Sequence, residues 1–436
     1  MNSRLVLHTA VCLGISLFVL DDRASAETGR FQQSGTLPGG GIYSIHSDLT
    51  APLTAIELWF RAPAAGYDSR YAGISRLAVT ALAASRPPHG TALAELVNRF
   101  GGTLRIQIYP DVAMIGANVP AQSASAVLRA LTQAFFTPSV GDEALKAAVR
   151  DAAIAAAQVQ YDPPRTLQDL LFAQLFRDGP AHFAPTPAAS AFSAIPLAAL
   201  QAYAQRAFRE QNAILAIAGK VDDELLAGVA PGRPGSAMDA PIDSTLAPQP
   251  SDSTQSGTAA GVGFAWVGAP ISSVREATAL DFVADYLFDG DHGTIATALE
   301  RSHANLFVDG QFVTLHDPGV LIVTTSGADA PSVQQAILDA VAQMQTPIEA
   351  GIFAAAQRAF EYHIVQQIQT PAGQADSLGW YAAEGNAAYA PGDASQTYMN
   401  AAQSLDPSFV AATVRKYLQH PAIVRLNAAR GSGSAA

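Results

Sequence analysis

Cysteine, lysine and closely spaced histidines are all scarce in this sequence. The chain of 436 residues has one cysteine, Cys12, which lies in an N-terminal apolar segment that we expect to be cleaved. The mature chain therefore has no disulfide, no thiolate nucleophile and no cysteine ligand for a metal ion. The patterns H-x-x-E-H and H-E-x-x-H, which place two zinc ligands on one helical face, are absent from all 436 residues.

Positive charge is also sparse and scattered. The formal net charge is −12, and the three lysines are Lys146, Lys220 and Lys416. A nucleic-acid partner requires clustered basic residues against its phosphates, so we expect no nucleic acid among the partners. The chain also has no G-x-S-x-G turn, P-loop or G-x-G-x-x-G fingerprint. A serine hydrolase and a nucleotide cofactor are therefore unsupported.

Residues 1–26 have the composition of a secretory signal peptide. Arg4 gives a positive start, Leu5 to Leu20 is apolar, and Ala24-Ser25-Ala26 provides a cleavage site before Glu27. The apolar stretch is short for a membrane span, and no second one follows it. We expect an exported protein, in the bacterial periplasm or outside the cell, with no integral membrane span after cleavage.

The remaining chain divides into two halves around a polar segment. From Pro231 to Gly257 there are five prolines and no aromatic residue, a composition that favours an exposed tether over a core. We predict an N-terminal domain over 27–230, a flexible linker over 231–258, a C-terminal domain over 259–430 and a disordered tail over 431–436.

The same order of elements recurs in the two halves, which indicates a duplication. Each half has a predicted β-hairpin, a helix after it, a longer helix that ends before a proline, and a closing apolar strand. This order predicts an α+β fold of two tandem homologous α/β sandwich domains, with one antiparallel-rich sheet covered by helices in each. The hairpins are Leu104 to Tyr109 with Val112 to Val119, and Asn305 to Thr314 with Val320 to Ser326; the helices are Gln122 to Phe135, Asp142 to Gln160, Pro331 to Met344 and Phe353 to Gln369; the closing strands are Ala213 to Gly219 and Ala422 to Leu426.

The segments Thr54 to Arg61, Gly73 to Thr80, Tyr161-Asp162-Pro163 and Asn212 to Asp222 follow one another in a recognisable order. In this order the chain resembles the insulinase, pitrilysin and mitochondrial processing peptidase family over nearly its whole mature length. Active members carry H-x-x-E-H on the helix after the glycine, with two histidines as zinc ligands and the glutamate as general base.

At these motif positions the resemblance implies that the ligands are missing. With Gly73 at the family glycine, Arg76 and Thr80 replace the two histidines and Val79 replaces the catalytic glutamate. A guanidinium carries positive charge, a hydroxyl is a weak zinc ligand and valine moves no proton. The third ligand is expected between Val149 and Ala157, which contains no Glu or His and has Asp151 as its one carboxylate.

The second half of active relatives contributes an arginine and a tyrosine that position the substrate. The corresponding positions here are Glu300 and Phe307. Moving the alignment by one residue recovers Arg301 but replaces the tyrosine with Val308, so neither register keeps the pair. The resemblance therefore implies that no catalytic residue, cofactor-binding residue or metal ligand is retained in this chain.

A histidine-rich region in the second half offers an alternative metal site. His292, His303 and His316 occur with Asp289 and Asp291, but their spacing matches no metal-ligand pair. We predict that these five residues are solvated surface side chains.

These observations predict a non-catalytic peptidase-like subunit. The resemblance implies a heterodimer with a zinc-bearing paralogue, in which this chain forms half of a chamber and binds extended peptides at a sheet edge. Zinc is expected only in the partner. Two alternatives stay open: an active exported zinc metallopeptidase with rearranged ligands, and a homodimeric envelope binding or scaffold protein.

Overall fold

A computed structural model describes residues 30–63, 66, 69–87, 90–232, 242–248, 251–303, 305–327, 331–385 and 394–428. The predicted signal peptide, the predicted tail and positions 233–241 and 249–250 of the predicted linker lie outside the described residues. Within the described ranges, none of the helices combines the length and apolar character needed to cross a membrane.

The first half is built on a six-stranded sheet with the strand order β1-β2-β7-β3-β5-β4. All neighbours pair antiparallel except β2 and β7. Its strands are Arg30–Thr36 (β1), Ile42–Asp48 (β2), Leu53–Phe60 (β3), Thr103–Ile108 (β4), Ala113–Pro120 (β5) and Ala213–Gly219 (β7). Its helices are Ile74–Ala84 (α1), Leu93–Arg99 (α2), Ala124–Phe136 (α3), Asp142–Val159 (α4), Pro163–Leu175 (α5), Ala189–Ser193 (α6), Leu197–Ala207 (α7) and Asp223–Leu226 (α8).

The second half is built on a five-stranded sheet with the order β11-β12-β10-β13-β9. Its strands are Asp252–Gly257 (β9), Gly261–Val267 (β10), Phe307–Val313 (β11), Val320–Ser326 (β12) and Ala422–Ala428 (β13). Its helices are Val274–Phe288 (α9), Thr294–Ser302 (α10), Pro331–Gln343 (α11), Ala350–Gln367 (α12), Pro371–Glu384 (α13), Ala394–Gln403 (α14) and Pro407–Tyr417 (α15). A third sheet pairs Phe176–Asp178 (β6) with Thr245–Leu246 (β8).

The predicted fold class and the repeated hairpins are confirmed. Both hairpins, the helices that follow them and both closing strands form where their hydrophobic periodicity places them. The predicted linker is wrong in two parts. Thr245–Leu246 is strand β8, which pairs with β6, and Asp252–Gly257 is strand β9, which pairs parallel with β13 at the edge of the second sheet. The residues of β9 are mostly exposed and polar, so the composition of this strand resembles that of a loop.

Each sheet is covered on its second face by a helix from the other half. Helix α5 lies on β10, β12 and β13, where Leu167 and Leu171 pack against Ala265 and Val424. Helix α13 lies on β3 and β7. The strands beneath these helices carry small residues on that face, which lets each helix approach closely: Ala55, Ala216 and Ala218 under α13, and Gly261, Gly263 and Ala265 under α5.

The contact of α13 with the first sheet is centred on the buried indole of Trp59. The indole stacks on Tyr109 with ring centroids 6.2 Å apart and meets Trp380 edge-on at 6.0 Å. Its Nε1 donates a 3.0 Å hydrogen bond to Glu57 Oε2. The backbone of Gly379 lies directly against the indole and leaves no space for a side chain. The two halves are therefore joined by close packing.

We expect Gly379→Ala to destabilise the protein by about 1–3 kcal/mol, because a Cβ would collide with Trp59 and push α13 off the sheet. Gly351→Ala is the matched control, since a Cβ there meets only the side chain of Glu349. Urea unfolding followed by tryptophan fluorescence measures both changes in free energy. Equal stability of the two variants would contradict this packing.

Candidate functional site

A chamber lies between the two halves, with a cavity volume of about 800 Å³. The first half contributes α1, the edge strand β4, the end of α4 and one face of α5. The second half contributes the edge strand β11 and residues of α9, α12 and α13. The wall includes Arg76, Ile106, Gln107, Ile108, Gln158, Asp162, Arg165, Gln168, Asp169, Asp281, Gln311, Phe312, Val313, Gln367, Asp376 and Trp380.

Helix α1, which carries the residues aligned with the family's zinc motif, faces this chamber. It begins after Gly73, whose backbone has φ +79° and whose missing Cβ would lie 2.7 Å from Phe192 and Pro187. Helix α1 then packs along α4, the helix in which the third ligand was expected. The structure therefore brings the two predicted motif helices together, and Arg76 points into the chamber beside them.

The guanidinium of Arg76, at the position aligned with the first histidine, lies in a cluster of charged side chains. Burial lowers the pKa of Arg76 below its usual value; Arg165 acts in the same direction and Asp169 opposes both. Arg76 Nε is buried without a hydrogen-bond partner. Asp169 is 3.7 Å from Arg165 Nε, and burial raises its pKa to about 6 against the effect of the two arginines. The guanidinium groups of Arg76 and Arg165 therefore share the carboxylate of Asp169.

The remaining motif positions do not supply zinc ligands either. Val79 is buried in the core, and Thr80 is half-buried and away from the chamber wall. On α4 the chamber is lined by Ala155, Gln158 and Val159, while Asp151 is exposed and outside the wall. These residues do not fit a zinc ion, because a dication would meet the positive charges of Arg76 and Arg165, and the neighbouring carboxylate of Asp169 already offsets those charges.

Glu300 and Phe307, the predicted counterparts of the substrate-binding pair, lie outside the chamber wall. Glu300 Oε1 accepts a 2.9 Å hydrogen bond from the backbone N–H of Val308, so it holds the start of β11 against α10. The Phe307 ring is 46% exposed and lies beside Gly290. The side chains of this pair therefore serve the local fold, and β11 itself contributes to the chamber.

No family model and no curated protein matches this chain. Its three-dimensional structure, however, is similar to that of known proteins. A protease from Helicobacter pylori superposes with a TM-score of 0.79 at 14% identity, covering 91% of this chain and 99% of that one. The fold is that of M16-like peptidases, so the predicted insulinase-like fold is confirmed.

Two further solved structures have this fold. An M16 inactive domain from Pseudomonas fluorescens gives a TM-score of 0.76 at 17% identity, and covers 91% of this chain and 97% of that domain. An M16-like peptidase from Alicyclobacillus acidocaldarius gives 0.74 at 14% identity, with coverage of 91% and 98%. The similarity therefore extends over both halves.

The sequence did not reveal that α5 contributes charged residues to the chamber wall. The chamber face of α5 carries Arg165 and Asp169, which both act on Arg76, although α5 lies about 90 residues further along the chain. A signal was available in the i, i+4 spacing of Arg165 and Asp169, which places opposite charges on one helical face.

We expect Arg76→Gln to raise the pKa of Asp169 above about 6, since Arg76 favours the ionised carboxylate. Titration of ¹³C-labelled aspartate carboxyls by NMR measures this pKa. Arg150→Gln, on an exposed position of α4, should leave it unchanged. An unchanged or lower pKa in Arg76→Gln would show that the guanidinium does not act on Asp169.

A second buried carboxyl near the chamber makes stability depend on pH. Burial and the charge of Asp376 raise the pKa of Glu57 to about 8, against the effects of Arg105 and Trp59. Arg105 is ion-paired with Asp376 of α13 and lies 3.6 Å from Glu57. Since the folded state keeps the proton that the unfolded state releases near pH 4.5, stability falls as pH rises from about 4.5 to about 8.

Glu57→Gln should flatten this slope, because glutamine preserves an acceptor for Trp59 Nε1 but has no proton to lose. We expect the loss of stability between pH 5 and pH 8 to shrink by a few kcal/mol, measured by urea unfolding at both values. Glu143→Gln, on the exposed start of α4, is the control that should retain the full slope. Identical slopes in all three proteins would contradict a protonated Glu57.

Proposed function

We propose that this protein is a non-catalytic, peptide-binding M16-like subunit that acts beside a zinc-bearing paralogue. The observation that carries the proposal is a chamber of about 800 Å³ whose motif helix presents Arg76 where a peptidase needs a metal ligand. The walls that would hold a peptide are present, and the residues that would activate water are replaced. Binding without hydrolysis is the function that fits both facts.

The edge strand β4 provides the surface for an extended peptide. Tyr109 N–H donates to Val112 O at 2.9 Å, which fixes the hydrogen-bonded pairs of the hairpin at every second residue. The backbone groups of Leu104, Ile106 and Ile108 consequently point away from β5. Since β4 is the last strand of its sheet and lines the chamber, a peptide can add there as a further strand.

The variant Ile106→Pro tests this edge, because it removes one outward N–H and leaves the ladder with β5 intact. A peptide pool from casein digestion should be retained by the wild type with unchanged masses, and retention by Ile106→Pro should fall about tenfold, as for the loss of one peptide-pairing site. Ile106→Thr keeps the N–H and is the matched control. Equal retention by the proline variant, or shortened peptides, would reject edge binding without hydrolysis.

The partner and the location are tested in the native cell. We propose export through cleavage before Glu27, and N-terminal sequencing of the mature protein checks it. Co-purification should recover a metallopeptidase-like companion with an intact H-x-x-E-H. Recovery of this chain alone as a dimer would favour the homodimeric scaffold alternative.

An active metallopeptidase is the remaining alternative. It would require peptide cleavage by the purified chain that a chelator abolishes. Bound zinc alone would not establish it, since the metal has to act at the chamber. Cleavage by the wild type that is lost in Arg76→Gln would overturn the non-catalytic function.

A further inference from the structure

A cluster of two imidazoles and a carboxylate lies in the second half, away from the motif helix. Asp285 is on α9, His292 is in the loop after that helix, and His363 is on α12. His363 Nδ1 is 2.8 Å from Asp285 Oδ1, and His292 Nε2 is 3.5 Å from the same oxygen. The three ligand atoms all lie within 4.8 Å of one another. Three separate chain segments thus converge on one point.

We propose that Asp285, His292 and His363 form a binding site for a divalent transition-metal ion of the zinc class. Two imidazoles with one carboxylate are a ligand set that such ions favour, and Mg²⁺ and Ca²⁺ prefer oxygen ligands alone. In a tetrahedral zinc site neighbouring ligand atoms lie about 3.3 Å apart. The separations of 2.8 Å and 3.5 Å bracket that value, so small side-chain rotations suffice to accept an ion.

The residues around His292 fix the nitrogen that would bind the ion. Asp289 Oδ1 lies 3.1 Å from His292 Nδ1, so it can accept the Nδ1 proton when Nε2, which faces Asp285, binds an ion. Asp289 is itself held by the backbone N–H of Asp291 at 2.9 Å. A carboxylate behind a ligating imidazole is the usual support of a zinc-bound histidine.

The surrounding charge also favours a cation. Asp291 lies in the same loop as His292, and Asp309 of β11 accepts a hydrogen bond from the backbone of Gly290 in that loop. In the described parts of the chain, neither lysine nor arginine pairs with Asp285, Asp289, Asp291 or Asp309. Among the described residues, His292 and His363 are the basic side chains that pair with Asp285 and Asp289. A dication at the cluster would reduce the repulsion among these carboxylates.

The fourth coordination position would be open to solvent. The side chains of Asp285 and His363 are 16% and 20% exposed, and that of His292 is 41% exposed. Three protein ligands and an exposed face leave room for a water molecule. The site also lies close to the chamber. On α9, Asp281 lines the chamber and precedes Asp285 by four residues; on α12, Gln367 lines the chamber and follows His363 by four residues.

Of the five residues expected to be solvated surface side chains, His292, His303, His316, Asp289 and Asp291, the proposal involves two. His292 would be a ligand and Asp289 would support it, while His303 bonds Ser302 and His316 bonds the backbone of Glu384. The residues that complete the cluster, Asp285 and His363, are separated by 78 positions. Local spacing in the sequence therefore gives no indication of them.

Titration of the metal-free mature protein with Co²⁺ tests the proposal, because tetrahedral cobalt has characteristic visible absorption. We expect one equivalent to bind, to be displaced by Zn²⁺ and to be unaffected by Mg²⁺. Asp285→Asn and His363→Ala should weaken binding by at least about 100-fold, and Asp289→Asn by about tenfold. His303→Ala removes a nearby histidine outside the cluster and should bind as the wild type does.

Each other outcome decides against the site. Equal binding in all variants, or no binding by the wild type, overturns the proposal, provided that circular dichroism shows the metal-free variants folded. Arg76→Gln should retain its cobalt, whereas cobalt lost in that variant and retained in His363→Ala would place the ion at α1. Peptide retention is a separate measurement, so failure of metal binding leaves the chamber function standing.

Discussion

The exchange of helices between the halves is the constraint on which the rest of the structure depends. Each sheet has two apolar faces, and its own half covers only one of them. Helix α5 covers the second sheet through Leu167 and Leu171, and α13 covers the first sheet around Trp59. Removing either helix would expose strands buried on both faces, so the halves stabilise each other through the hydrophobic effect.

The same exchange determines what the chamber can do. One side of α5 is apolar and fixed on the second sheet, so its opposite side, with Arg165 and Asp169, must face the cavity beside Arg76. A buried guanidinium needs an anionic partner, and Asp169 of α5 is the carboxylate that acts on Arg76. The charge cluster is thus a consequence of the packing that also forms the walls.

The sequence was sufficient for those parts of the fold that depend on local periodicity. The hairpin at Pro110-Asp111, the helix over Asp142–Val159 and both closing strands each carry a clear apolar pattern. Strand β9 carries none, because it is an edge strand held by backbone pairing and its side chains are polar. The sequence also did not predict that each half supplies a helix to the sheet of the other half, because an apolar helical face does not specify which sheet it will cover.

The candidate site shows the same difference between local sequence patterns and contacts of distant segments. The replacement of ligands at Arg76, Val79 and Thr80 stays a prediction from a local motif alignment, and the structure adds that Arg76 lines the chamber. The neighbours that give Arg76 its electrostatic setting come from α5, and those that join His292 come from α9 and α12. Contacts between distant segments require the three-dimensional fold.

A buried carboxyl pair, Asp111 and Glu384, lies where the tip of the first hairpin meets the end of α13. Burial raises the pKa of both Asp111, in the first hairpin, and Glu384, at the end of α13, and their mutual repulsion raises that of Glu384 further. His316 of the second hairpin donates its N–H to Glu384 at 3.0 Å, which ties the second hairpin to α13. A proton retained by this pair removes the repulsion between the two carboxylates. Since the pKa of Glu57 is raised as well, we expect the junction between the halves to weaken as pH rises.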